Sequence, residues 1–144
     1  MNRPGLSLIE VMVVLALVAW ALATTLPFMG TFQKTETLRV VGHDVFLTMI
    51  RARHRAQTEE RGAAWGVALL SGSYVLYAGA SYSERVPAYD EMHAVSAVVF
   101  SGLSDVTFRR LSGEPVAAGT VTITHRAGGS SAITVNDAGQ LSIE

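Results

Sequence analysis

An apolar run from Leu6 to Leu26 constrains this chain more than any other feature, and one ionisable residue, Glu10, interrupts it. Wound as an α-helix at about 1.5 Å per residue, the run reaches roughly 30 Å, the thickness of a bilayer's hydrocarbon core. The pattern therefore predicts a membrane segment. A cleaved secretory signal has a shorter apolar region followed by small residues. Here the run is longer, and the small residue Gly5 stands before it. A carboxylate at the centre of a bilayer costs about 3 kcal/mol in insertion, so Glu10 calls for a cationic partner or a position at the interface. Arg3 and the starting amine are the charges that precede the run, and both are positive, which predicts a cytoplasmic N-terminus and everything after the helix outside the membrane.

Beyond Leu26 the helix is expected to continue, bent at Pro27, because membrane helices tolerate the lost backbone donor. Phe32, Leu38, Val41, Val45, Met49, Ala52 and Ala56 recur at three- and four-residue steps, the stripe of an amphipathic helix, up to a stop at Gly62. Gly30 and Gly42 weaken that helix by about 1 kcal/mol each relative to alanine. After Gly62 the period becomes two. Trp65, Val67 and Leu69 alternate, Gly72-Ser73 turns, and Tyr74–Tyr77 returns. A polar loop fills Gly79–Pro87, and Val95–Phe100 and Val106–Phe108 are further strand candidates. Val121 and Ile123, then Ile133 and Val135, then Leu141 and Ile143, separated by Gly128-Gly129 and by Asn136–Gly139, predict an antiparallel meander with one apolar face. The fold class is α+β: a long N-terminal membrane helix with an amphipathic second half, packed on a small antiparallel β-sheet domain. The expected segments are 1–5, a leader; 6–27, the membrane and assembly helix; 28–61, the amphipathic half; and 62–144, the β-domain.

Gly5-Leu6-Ser7-Leu8-Ile9-Glu10 followed by an apolar helix resembles the signal of type IV prepilins and type II secretion pseudopilins. The order of the long helix, the Arg51–Arg53 to Trp65–Val67 junction and the closing threonine-rich strands is similar to the GspH/FimT-type minor pseudopilins. The resemblance implies cleavage between Gly5 and Leu6 by a prepilin peptidase and N-methylation of Leu6. It implies that Glu10 pairs with the amino terminus of a neighbouring subunit during assembly, and that Pro27 is the family's helix kink. The implied partners are that peptidase, other pilin or pseudopilin subunits, an inner-membrane assembly platform and membrane lipid. The implied location is the cytoplasmic (inner) membrane, single-pass, and afterwards an extracellular or periplasmic filament. The first mature residue is Leu in place of the family's usual Phe.

No constellation for catalysis is legible, and the chain reads as a structural protein, not an enzyme. Cysteine is absent, which removes disulfides and thiol chemistry. His43 and Asp44 are adjacent, so on a helix they diverge by about 100° and cannot form a base and its orienting group. Ser71, Ser73 and Ser101 lack the Gly-x-Ser-x-Gly elbow, and no phosphate-binding glycine motif occurs. Asp90-Glu91-x-His93 is the densest group of metal-ligand types, and it reads as a solvated polar loop; no metal and no cofactor is expected. A second hypothesis is DNA capture, as in FimT-like pilins, with Arg51, Arg53, Arg55 and Arg61 as candidate contacts. Glu59 and Glu60 lie beside that cluster, and the formal net charge of −1 offers no general attraction to phosphate, so DNA is not the favoured partner. A third is an uncleaved, single-pass anchored binding domain, which shares every feature except the processing.

Overall fold

The computed structural model describes residues 7–144, the side chains of 24–35 excepted. The leader, Gly5 and Leu6 lie outside the described residues, as do the side chains of Pro27, Gly30 and Phe32 and the bend expected at Pro27. One α-helix, α1 (Leu8–Gln57), precedes eight strands. The chain divides into two units, Met1–Gln33 and Lys34–Glu144. In the described part of the first unit there is helix alone. Among the described residues no helix is long and apolar enough to cross a membrane. The side chains of the last three residues of the apolar run, 24–26, lie outside the described residues.

The second unit is α+β. β1 (Trp65–Leu70), β2 (Ser73–Ala78), β3 (Glu91–Ala94) and β5 (Asp105–Phe108) form one antiparallel sheet in the order β3-β2-β1-β5. β4 (Val98–Gly102), β6 (Gly119–His125), β7 (Ser130–Val135) and β8 (Leu141–Ile143) form the other in the order β4-β6-β7-β8. The predicted meander is β6-β7-β8, and β4 adds to its edge. Both sheets contribute to one core with the helix. Leu38, Val45, Met49, Ala52 and Ala56 of α1 are buried with Trp65, Val67, Tyr74, Leu76, Phe108, Val121, Ile123, Ile133 and Val135. Each large side chain withdrawn from water in this way contributes about 1.5–3 kcal/mol. Gly42 belongs to the same surface: a methyl group there would lie 3.4 Å from Ile143 Cδ1 and 3.5 Å from Ser131 Oγ. Its place in the stripe is a close helix–sheet approach.

Three expectations need correction. The helix ends at Gln57, not at Arg61. Thr58 Oγ1 donates to the carbonyls of His54 and Arg55 (3.0 and 3.3 Å), Glu59 takes a left-handed conformation, and the Leu111 amide, from a distant loop, caps the Ala56 carbonyl at 3.0 Å. Glu60–Gly62 is a separate 3-10 turn. Second, Glu91–Ala94 is strand β3, where a polar loop was expected, because Tyr74 and Leu76 of β2 offer it a complete register. Third, the strand expected over Val95–Phe100 begins at Val98 and runs to Gly102.

The first sheet is covered on both faces. Tyr77, Val75 and Ala68 point away from the helix and are buried beneath the 79–90 loop. The Tyr77 ring crosses Gly66, and its hydroxyl donates to the Asp105 carboxylate. Tyr82 meets that ring edge-on at 5.6 Å, Arg85 stacks on Tyr82 at 4.0 Å, and Arg85 Nε donates to Asp90 Oδ2 at 2.8 Å. A Cβ at Gly66 would stand 2.6 Å from the Tyr77 ring. Gly66→Ala should therefore lower stability by about 1–3 kcal/mol, the usual cost of overpacking, read as a fall in Tm with the helical circular dichroism retained.

Burial, and then the Asp105 carboxylate, raise the Tyr77 phenol above its ordinary range; burial, and then Asp44, which accepts from the Tyr74 hydroxyl, do the same for Tyr74. An unfolded chain ionises tyrosine near pH 10. Above that pH the unfolded state holds fewer protons at these two groups than the folded one, so their contribution to stability is fully present below about pH 10 and is lost as pH rises beyond it. The expected result in alkaline denaturation is phenolate absorbance from these two residues that appears together with loss of structure; Tyr77→Phe should remove part of the pH-dependent loss.

Candidate functional site

Two places carry the residues singled out from the sequence. The first is the start of α1. The Ser7 carbonyl accepts from the amides of Glu10 (3.0 Å) and Val11 (3.2 Å), which opens the helix just ahead of the carboxylate. Around Glu10 the helix is apolar on all sides and the side chains are exposed: Ile9 is 70% and Trp20 70% accessible, with Met12, Leu15, Leu17 and Leu22 similar. A soluble helix normally confines such residues to one stripe; a helix apolar all round is a buried or membrane-embedded one. Glu10 makes no ion pair among the described residues.

The second place is the C-terminal end of α1. Arg55 Nη1 bonds Glu91 Oε1 at 2.7 Å, its Nε lies 3.4 Å from Glu60 Oε2, and its guanidinium stacks on Trp65 at 4.7 Å. Arg51 reaches the other oxygen of Glu91 at 3.4 Å. Arg53 donates to the carbonyls of Gly113 (3.3 Å) and Ala138 (3.1 Å), tying two loops to the helix. Arg61 stacks on Tyr89 at 3.9 Å. Trp65 Nε1 donates to the Glu60 carbonyl at 3.0 Å. An open cleft of about 240 Å³ lies here, lined by Arg55, Glu60, Arg61, Trp65, Tyr89, Asp90 and Glu91. Carboxylates answer Arg51 and Arg55, and backbone carbonyls answer Arg53. Phosphate binding needs several cations free to release counterions; of these four, Arg55 and Arg53 are held within the domain, Arg51 has one exposed carboxylate partner and Arg61 only the Tyr89 ring.

The structure separates the remaining candidates. His93 stacks on Tyr74 at 4.8 Å, while Glu91 turns to the arginines of α1 and Asp90 to Arg85. Asp90 Oδ1 and His93 Nε2 are buried without hydrogen-bond partners. Among the described residues no group of three metal-ligand side chains comes together. Asp44 accepts from Tyr74 and is an anchor between helix and sheet. That role had no signal in the sequence, since Asp44 and Tyr74 are thirty residues apart.

Arg55 holds three partners and Arg51 a single exposed one. Arg55→Ala should cost about 1–3 kcal/mol through lost packing and the uncompensated Glu91, and Arg51→Ala less than about 0.5 kcal/mol, compared by urea denaturation. No family model, curated protein or solved structure matches the chain.

Proposed function

We propose that this chain is a structural subunit of a type IV pilus or type II secretion-type filament, a GspH/FimT-like minor pseudopilin. In this reading it enters the cytoplasmic membrane as a prepilin with its N-terminus inside, and a peptidase removes Met1–Gly5. The helix from Leu6 onward is the membrane span, and afterwards the assembly stalk. The observation that carries the reading is the lone Glu10 carboxylate on a helix whose other faces are apolar and exposed. Such a surface is unfavourable in water and calls for lipid or the equivalent helices of other subunits.

Cleavage creates what the carboxylate lacks. The new amine at Leu6 is cationic, and in a low-dielectric bundle an unpaired charge is costly enough to select the one axial register that brings amine and acid together. Assembly is then driven by apolar contact and positioned by one ion pair. The β-domain is consistent with the same reading, being a small compact unit built on the second half of α1. DNA capture has less support, because Arg51, Arg53 and Arg55 are bound within the domain and Arg61 lies on Tyr89.

Mass spectrometry of the protein extracted from membranes should find an amino terminus at Leu6, heavier by one methyl group if modified. A terminus at Met1 would refute the pilin reading and leave the uncleaved anchored domain. Glu10→Ala should be inserted and processed but poorly incorporated into sheared filaments, whereas Gly5→Trp should accumulate as the full-length precursor.

A further inference from the structure

The carboxylates around the cleft beside Trp65 are each held by an arginine. Glu60 and Glu91 hold Arg55, Glu91 also reaches Arg51, and Asp90 holds Arg85 at 2.8 Å. Arg61 lines the same cleft, and among the described residues its guanidinium makes no hydrogen bond and no ion pair. It rests on the Tyr89 ring, 3.9 Å from the centroid. Four arginines against three carboxylates leave one positive charge over, and that charge belongs to the guanidinium whose donors are open.

The backbone holds Arg61 there against its own preference. Glu59, Arg61 and Gly62 have φ of 53°, 62° and 64°, left-handed values that glycine takes freely and other residues rarely do. The turn is pinned from several sides. The Gly62 amide donates to the Glu59 carbonyl at 2.8 Å, Arg110 Nη1 to the Gly62 carbonyl at 3.1 Å, and Trp65 Nε1 to the Glu60 carbonyl at 3.0 Å. Glu59 and Arg110 also pair at 3.0 Å. Strained residues persist only where the surroundings over-determine them, and they concentrate at binding sites. Here the strain sets a guanidinium on an aromatic face, in the wall of an open cleft, with its N–H groups unused.

We propose that this cleft binds one carboxylate, with Arg61 as its bidentate donor and Tyr89 as the platform that keeps the guanidinium in place. A guanidinium whose face is covered offers its edge, and that planar fork of N–H groups matches the two oxygens of a carboxylate. The single spare charge selects a monoanion. A phosphate dianion or a nucleic-acid backbone would meet Glu60, Asp90 and Glu91 with only one free cation to offset them. The volume of about 240 Å³ sets the size, since pockets for drug-sized ligands occupy about 300–1,000 Å³. An acidic side chain of another protein and a small free organic acid both present the required group. The site lies within the second unit and stands independently of the pilin reading.

The test uses the full chain, isotope-labelled, in a nonionic detergent, and reads the Arg61 Nε–H and the Tyr89 amide by NMR. Acetate and the peptide acetyl-Gly-Glu-Gly-amide should each shift both signals saturably, and acetyl-Gly-Gln-Gly-amide should shift neither. Tighter binding of the glutamate peptide than of acetate assigns the site to an acidic side chain; acetate bound as tightly or more so assigns it to a free organic acid. Arg61→Lys keeps the charge but loses the fork, and should weaken binding, read at the Tyr89 amide, by about tenfold or more at the wild-type Tm. Tyr89→Phe keeps the platform and should bind as the wild type does. Shifts that fail to saturate with both carboxylates would overturn the proposal. So would an Arg61→Lys chain that binds as tightly as the wild type, a glutamine peptide that binds as well as the glutamate one, or phosphate bound more tightly than either carboxylate.

Discussion

The domain rests on one helix stripe serving two sheets. Val45, Met49, Ala52 and Ala56 are fully buried in a core to which strands of both sheets contribute. With no disulfide to restrict the unfolded chain, that burial and the hydrogen bonds closing it carry the stability. The stripe is narrow. Ala52 and Ala56 let the strands come close, and Gly42 does so at the other sheet, where Ile123 and Ile143 press on the helix.

Polar contacts set how the elements dock on that stripe. Asp44 receives the Tyr74 hydroxyl, Arg55 holds Glu91 and covers Trp65, and Arg53 reaches Gly113 and Ala138. Each of these joins α1 to an element distant in sequence, and each is satisfied within the domain. A cluster that looks basic when read linearly is therefore a set of struts. Its arginines support the β-domain on its helix, which is a structural use of charge and the reason a nucleic-acid surface finds little support there.

The two ends of the molecule's chemistry are different in kind. At the start of α1 a single acid that makes no ion pair among the described residues sits in an exposed apolar surface, and the functional reading follows from what such a surface requires. In the β-domain the arginines at the end of α1 are held by carboxylates, carbonyls and aromatic rings of the same domain.

Much of the secondary structure was legible because its causes are local. The three-and-four spacing of Leu38, Val45, Met49, Ala52 and Ala56 is the geometry of a helix face, and the alternation in β6 and β7 is the geometry of a pleated strand with one side buried, whereas β1 and β2 are buried on both. The Leu6–Leu26 run and its Glu10 were equally plain, since hydropathy needs no partner to be read. Tertiary contacts decided the rest. Helix α1 stops at Gln57 because an amide from Leu111 takes the Ala56 carbonyl and the Thr58 hydroxyl takes those of His54 and Arg55, not because of Gly62. Glu91–Ala94 left the expected loop for a strand because β2 offered an open edge and Arg51 and Arg55 a counter-charge. Periodicity records which face of an element is apolar; where an element ends and which cations remain free depend on groups that only folding brings within reach.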